Sequence, residues 1–393
     1  MRQLINKEGI NMEDKFLLGG YTADSYTNGK HNNSEGIYTA TLDTEKGEIT
    51  AIEPVVKLEN PAFFNYSIKD HKIAVVMTKD DKTGGVGIID VDPHTGKGQL
   101  ISESMLDQSV KGSYEAYNYF DHLYYWNDLK YTVPSYVYLD DKRKMVFAAN
   151  YNTNAIHTWK LDDNYQFIES HRYPIEGRGP KAVQDAAHIH FTRLLPDGRL
   201  IVCALGAYRL FVYDVNDDAS LTKVFEYEVE PGFGPRQLAF NENTNNYIYV
   251  LNEVGSRTAV VKYDPKTGHL SRIASYSNIP EGYAGHNQSA GIRVSADGKF
   301  VYSSNRGHNS IAVYRVIDGG KHLEKIQTIK TNGVSPRDFD LSKNGDFLLC
   351  ANQMSHELIL FKRDPQTGYL SVAQEGIKHD ACVRVLEATD FLA

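Results

Sequence analysis

"SPRDFDLSKNGDFLLCANQMSHELILFKRDPQTGYLSVAQEG", residues 335–376, decides how the whole chain is read. Polar turn clusters divide it into four short apolar stretches, the pattern of consecutive antiparallel strands. These strands are termed a to d in chain order. Asn-Gly in "SKNGDF" supplies the positive φ that a tight a–b hairpin needs. In the c–d turn "DPQTG", proline presets one position and glycine takes another.

The same unit recurs along nearly the whole sequence. "SADGKF" repeats the a–b turn, and "DPHTG" and "DPKTG" repeat the c–d turn. The second apolar run of each unit ends at Tyr21, Met77, Asn150, Leu205, Asn252, Asn305 and Asn352, at intervals of 56, 73, 55, 47, 53 and 47 residues. The single long interval contains an aromatic-rich insert, "GSYEAYNYFDHLYYWNDLKY", at 112–131. Seven units of four strands predict an all-β, seven-bladed β-propeller. The first unit opens at "FLLGGYT", already a b strand, whereas "ACVRVLEA" at 381–388 is an apolar strand with no unit of its own. The C-terminal strand is therefore expected to complete the first blade and close the ring. Residues 1–14 read as an N-terminal extension and 15–393 as a single propeller domain.

Composition narrows the function classes. Hydrophobic residues make up 41% and charged residues 23% of 393 residues, which is ordinary for a globular protein with a full core. A net charge of −8 argues against nucleic acid or an anionic membrane as partner. No secretory signal or transmembrane anchor is readable, so a cytoplasmic location is expected. Cys203, Cys350 and Cys382 sit in apolar runs without C-x-x-C spacing and are expected to be buried free thiols. The sequence leaves monomer or dimer open.

Strand order places the starts of a and the ends of b on one face, around the channel mouth, with the stereotyped hairpins on the other. Tyr21, Asn150, Tyr151, His188, His190, Arg236, Glu253, Arg306, Arg337, Asn352 and Gln353 fall on that first face. Arg236 in "PGFGPRQLAF" and Arg337 in "SPRDF" occupy the same place in blades five and seven, and Glu253 and Arg306 follow the b strands of blades five and six. Three guanidiniums are expected to meet one carboxylate, an anion site in an otherwise acidic protein. Alternation puts His188 and His190 on one strand face. H-x-H without a convincing third ligand is a weak zinc signal, so no metal and no cofactor are expected. The aromatic insert lies in a d–a connection on the same face. It reads either as a lid over the funnel or as packing against the ring or a second subunit.

With "GGYT", "EGIYTATLD", "AHIH", "PGFGPRQLAF", "YVLNE", "SNRG", "SPRDF" and "ANQ", the chain resembles the seven-bladed lactonase family. That family includes propeller-type 6-phosphogluconolactonases and fungal carboxymuconate lactonising enzymes. The resemblance implies an active site at His188, Arg236, Glu253 and Arg306, with an anionic lactone as substrate. Departures include Ala187 where the family carries proline, and Tyr136 where histidine is frequent.

The expected reaction is metal-independent hydrolysis of an anionic sugar lactone, most simply 6-phosphogluconolactone. Glu253 would act as general base, an arginine would stabilise the oxyanion, and His188 would protonate the leaving oxygen. Arg337, His190, Tyr21, Asn150, Tyr151, Asn352 and Gln353 would bind substrate. Arginines depress the pKa of a carboxylate and weaken it as a base, a tension that eases if only one of them approaches Glu253. A muconate-type cycloisomerase and a non-catalytic propeller that binds an anion or a protein are the alternatives.

Overall fold

In the computed structural model, residues 12–23, 32–79, 83–107 and 133–392 are described. They form seven four-stranded antiparallel sheets, each ordered from an inner strand a to an outer strand d. The fold is the predicted seven-bladed propeller. No helix among the described residues is long and apolar enough to cross a membrane. The insert at 112–131 and most of the N-terminal extension lie outside the described residues. Glu13 and Asp14, assigned by sequence to the extension, belong to the second strand of blade one, Glu13–Gly20.

Each blade forms because its b and c strands are apolar on both sides and can be covered only by neighbouring blades. Strand Phe347–Asn352 is buried throughout, while the outer strand Leu370–Lys378 is mostly exposed. Tyrosines with buried rings tie one blade to the next through their hydroxyls. Tyr249 donates to the Gly320 carbonyl at 3.1 Å, and Tyr302 to the Gly368 carbonyl at 3.1 Å. The c–d turns follow their chemistry. Asp264 accepts from the Lys266 N–H at 2.9 Å, and Gly268 adopts φ 76°, a conformation in which glycine carries no Cβ penalty.

The ring closes as the sequence predicts. Strand Cys382–Glu387 is the inner strand of blade one and pairs antiparallel with Glu13–Gly20, Leu17 opposite Leu386. Two carboxylates of blade seven grip this strand. Asp338 accepts from the Arg384 guanidinium at 2.9 Å and from the Val385 N–H at 3.3 Å, and Asp340 accepts from the Glu387 N–H at 3.2 Å. Arg293 of blade six bonds both carboxylates, at 3.1 and 3.0 Å. On the other side, Arg384 donates to the Phe64 carbonyl of blade two at 3.2 Å.

Asp338 is 2% exposed, and its removal would leave the buried Arg384 guanidinium without its carboxylate and the half-buried Arg293 with Asp340 alone. Asp338→Ala is expected to destabilise the protein by about 3–5 kcal/mol, the usual cost of breaking a buried ion pair. Chemical denaturation of the variant would measure this. A midpoint unchanged from wild type would show that backbone pairing alone closes the ring.

Candidate active site

The inner strands do not begin regularly. In blades four, five, seven and one the pairing register slips by one residue at the start of strand a, leaving His190, Arg236, Arg337 and Val383 as the extra residues. A bulge of this kind turns a side chain out of the ladder, and Arg236 so placed reaches Glu253. The residue before several of these strands is left-handed: His188 at φ 47°, Ser335 at 63° and Ala381 at 44°.

This register corrects the expectation for the two histidines. His188 precedes its strand and corresponds to Ser335, whereas His190 stands in the bulge and corresponds to Arg236 and Arg337. Alternation fails because the bulge intervenes. Pairing also shifts two unit ends: Gly20 and Ala204 stand opposite strand starts where Asn252 does, so Tyr21 and Leu205 align with Glu253.

At the centre, Glu253 is 8% exposed. Its two oxygens meet Arg236 Nε at 2.6 Å and an Arg306 terminal nitrogen at 2.8 Å. Arg236 also donates to the Ala290 carbonyl of blade six. Burial alone would raise the Glu253 pKa, but the Arg306 and Arg236 charges outweigh it and hold the carboxyl at about 2. The condition that would have spared Glu253 as a base is therefore not met, since both arginines sit on it.

Arg337 does not join that group, which corrects the expected meeting of three guanidiniums. Its partner is the Gln353 amide oxygen at 3.2 Å, and its guanidinium lies 5.7 Å from the Tyr21 ring centre. No carboxylate pairs with it among the described residues.

The histidines have different surroundings. His188 Nε2 lies 2.6 Å from Asp185 and Nδ1 lies 3.1 Å from the Tyr151 carbonyl, with its ring stacked on Tyr151 at 4.1 Å. Both nitrogens are thus engaged by protein. His190 is buried near Glu253 and all three arginines, and burial, reinforced by Arg236, pushes its pKa well below the ordinary value. Its Nδ1 has no hydrogen-bond partner among the described residues.

Asn150 and Asn352 are buried strand-end residues: Asn150 accepts from the Thr153 N–H at 3.0 Å, and Asn352 donates to the Thr331 carbonyl at 2.9 Å. Both histidines of H-x-H contact the Tyr151 ring, His188 stacked at 4.1 Å and His190 edge-on at 5.9 Å. Glu169, His171 and Asp218, which do have ligand spacing, sit outside the funnel, Glu169 and His171 on the outer strand of blade three. Cys203, Cys350 and Cys382 are buried free thiols, all raised by burial. Sequence reasoning missed Asp185, an acidic residue three positions before His188 in an irregular connection, and Gln288, which opens the inner strand of blade six.

The profile described as "Lactonase, 7-bladed beta-propeller" matches residues 15–124 and 127–387. This chain belongs to the seven-bladed β-propeller lactonase family. It is similar to the 6-phosphogluconolactonase of Bacillus subtilis, 30% identical over 375 residues that cover 93% of this chain and 98% of the relative. An uncharacterized protein of Lactococcus lactis subsp. cremoris is 34% identical, covering 93% and 96%. A crystal structure of a protein from Lactobacillus plantarum superposes with a TM-score of 0.83 at 32% identity, covering 96% of this chain and 99% of that one. The protein is accordingly an enzyme, a lactonase, and its funnel contains the arginines, glutamate and histidines described above.

Acid should weaken the fold of this lactonase in two stages. His190 is depressed below its unfolded value of 6.5, so the unfolded chain takes up its proton first and stability falls as pH drops below about 6.5. Glu253, lowered from 4.5 to about 2, adds stability above pH 4.5 that is lost between those values. His157 and His379, both held at about 4 by burial, steepen the first stage. His190→Asn is expected to flatten, without abolishing, the fall in denaturation midpoint between pH 6.5 and 5. An unchanged slope would mean that His190 is protonated in the folded protein.

Proposed function

We propose that this lactonase hydrolyses an anionic sugar lactone, most simply 6-phosphogluconolactone to 6-phosphogluconate, without a metal ion. The observation that carries the reading is the division of labour among three arginines. Two are clamped on Glu253, and Arg337, among the described residues, has only neutral partners. A cation so placed suits the phosphate or carboxylate of a substrate. The name of the Bacillus subtilis relative points the same way.

In this reading water attacks the lactone carbonyl, and the oxyanion that forms is met by the Arg236 and Arg306 guanidiniums, fixed in place by Glu253. His190, a neutral imidazole at neutral pH, takes the proton from the attacking water. It then returns that proton to the ring oxygen as the carbon–oxygen bond breaks, which leaves a carboxylic acid and a free hydroxyl. Glu253, held at about 2, is the orienting counterion rather than the base. His188, engaged by Asp185 and Tyr151, braces the wall of the funnel through Tyr151. Three buried thiols without a disulfide suit a reducing, cytoplasmic compartment.

The direct test is hydrolysis of freshly made 6-phosphogluconolactone above its spontaneous rate, with and without chelator. No acceleration, or loss of it with chelator, rejects the proposal as stated. Arg337→Ala is expected to raise KM more than it lowers kcat, with kcat/KM reduced about 10- to 100-fold, as for a lost charge-assisted contact. The penalty should nearly vanish on unphosphorylated gluconolactone. Equal penalties on both would show that Arg337 only braces blade seven.

The proton-transfer assignment makes a separate claim. His190→Gln should lower kcat by about 10²–10⁴-fold, the usual contribution of a general base, while His188→Gln should have a smaller effect. Steady-state kinetics of the two variants decide it, and the reverse order would return the proton transfer to His188.

A further inference from the structure

Gln288 opens the inner strand of blade six, Gln288–Val294, and stands directly opposite Arg306 in the sheet. Opposed residues of an antiparallel pair project to the same face. Arg306 reaches Glu253 of blade five, so Gln288 projects to the same side, beside that ion pair. The next residue confirms the proximity, because the Ser289 N–H donates to the Glu253 carbonyl at 3.3 Å.

The Gln288 side chain is about nineteen-twentieths buried, at 5% exposure, and its Oε1 has no hydrogen-bond partner among the described residues. A buried amide oxygen without a donor is unfavourable, and native structures keep few of them without a reason. Its charged neighbours do not supply the donor. The Glu253 carboxylate only accepts, and the Arg236 and Arg306 guanidiniums are turned on that carboxylate. Among the described residues nothing supplies that donor.

We propose that Gln288 is a substrate-binding residue that accepts a hydrogen bond from a free hydroxyl of the lactone. The substrate class follows. A sugar-acid lactone carries hydroxyl donors around its ring, whereas a muconate-type lactone at neutral pH offers carboxylates and a ring ester, which only accept. A site built to accept from a hydroxyl discriminates strongly against analogues that lack it. This inference deepens the hydrolase reading and rests on it for placing a ligand in the funnel.

The test uses binding rather than turnover, so that the two readings fail separately. Calorimetric titration of the full-length protein would compare 6-phosphogluconate with 6-phosphohexanoate, which has the same length and the same charged ends but no hydroxyls. Wild type is expected to prefer 6-phosphogluconate by about tenfold or more, and Gln288→Met to remove most of that preference while changing 6-phosphohexanoate affinity by less than about twofold. Gln288→Asn, which keeps the amide but withdraws it by one methylene, should do the same, and serves if the methionine variant fails to fold.

Equal weakening of both ligands, or a wild type that does not distinguish them, would overturn the role. A wild type that prefers 6-phosphogluconate through Gln288 yet does not accelerate lactone hydrolysis would support the role and reject the hydrolase reading.

Discussion

Two carboxylates, Asp338 and Asp340, hold the ring together where, alone among the described blades, strands distant in the chain meet. Every other blade is built from consecutive strands, whereas blade one takes its inner strand from Cys382–Glu387 and the rest from residues 13–57. Its seam must be stronger than pairing alone. Arg384, anchored on Asp338 and on the Phe64 carbonyl, reaches blades seven and two from blade one. Arg293 brings blade six into the same network. Such buried charge is costly to desolvate and is tolerated where geometry satisfies each partner. The network also fixes the wall against which the funnel is built.

The funnel uses the same chemistry for a different end. Glu253 between Arg236 and Arg306 is a buried carboxylate with its proton affinity suppressed, so it orients guanidiniums more readily than it accepts protons. The pairing keeps two cations at one point in a protein of net negative charge. It also separates them from Arg337, whose neighbours Gln353 and Tyr21 are neutral and which has no carboxylate partner among the described residues. His190 stays neutral because burial and the arginine beside it both disfavour an imidazolium. Charge, counterion and neutral imidazole are thus distributed over four consecutive blades.

Much of this was legible from the sequence because the signals are local. Turn residues such as Asp-Pro-x-Thr-Gly, and the four short apolar runs between them, fix the blade unit within fifty residues or so. An unmatched strand at each end of the repeat implied the closure. The placement of Glu253 just past its b strand followed from counting, and Arg306, expected past its own strand, proves to be that strand's last residue. Register slips did not follow, because a bulge belongs to two paired strands and is not written in either one. Counting therefore put His188 and His190 on one face and let Arg337 join the Glu253 group. Asp185 and Gln288 carried no pattern at all: one lies in an irregular connection, and the other matters through an unfilled bond that only packing reveals.

The bulges at the strand starts separate what folds from what binds. A side chain in a bulge stands outside the hydrogen-bonded ladder, so exchanging it leaves the pairing of its blade unchanged. His190, Arg236 and Arg337 occupy three of these slots, and Val383 fills that of blade one. The bulge positions thus carry ionisable side chains in blades four, five and seven and a valine in blade one. Selectivity for new substrates can be rewritten most freely at a slot such as that of Arg337, which has no carboxylate partner among the described residues, and less freely at that of Arg236, which is paired with Glu253.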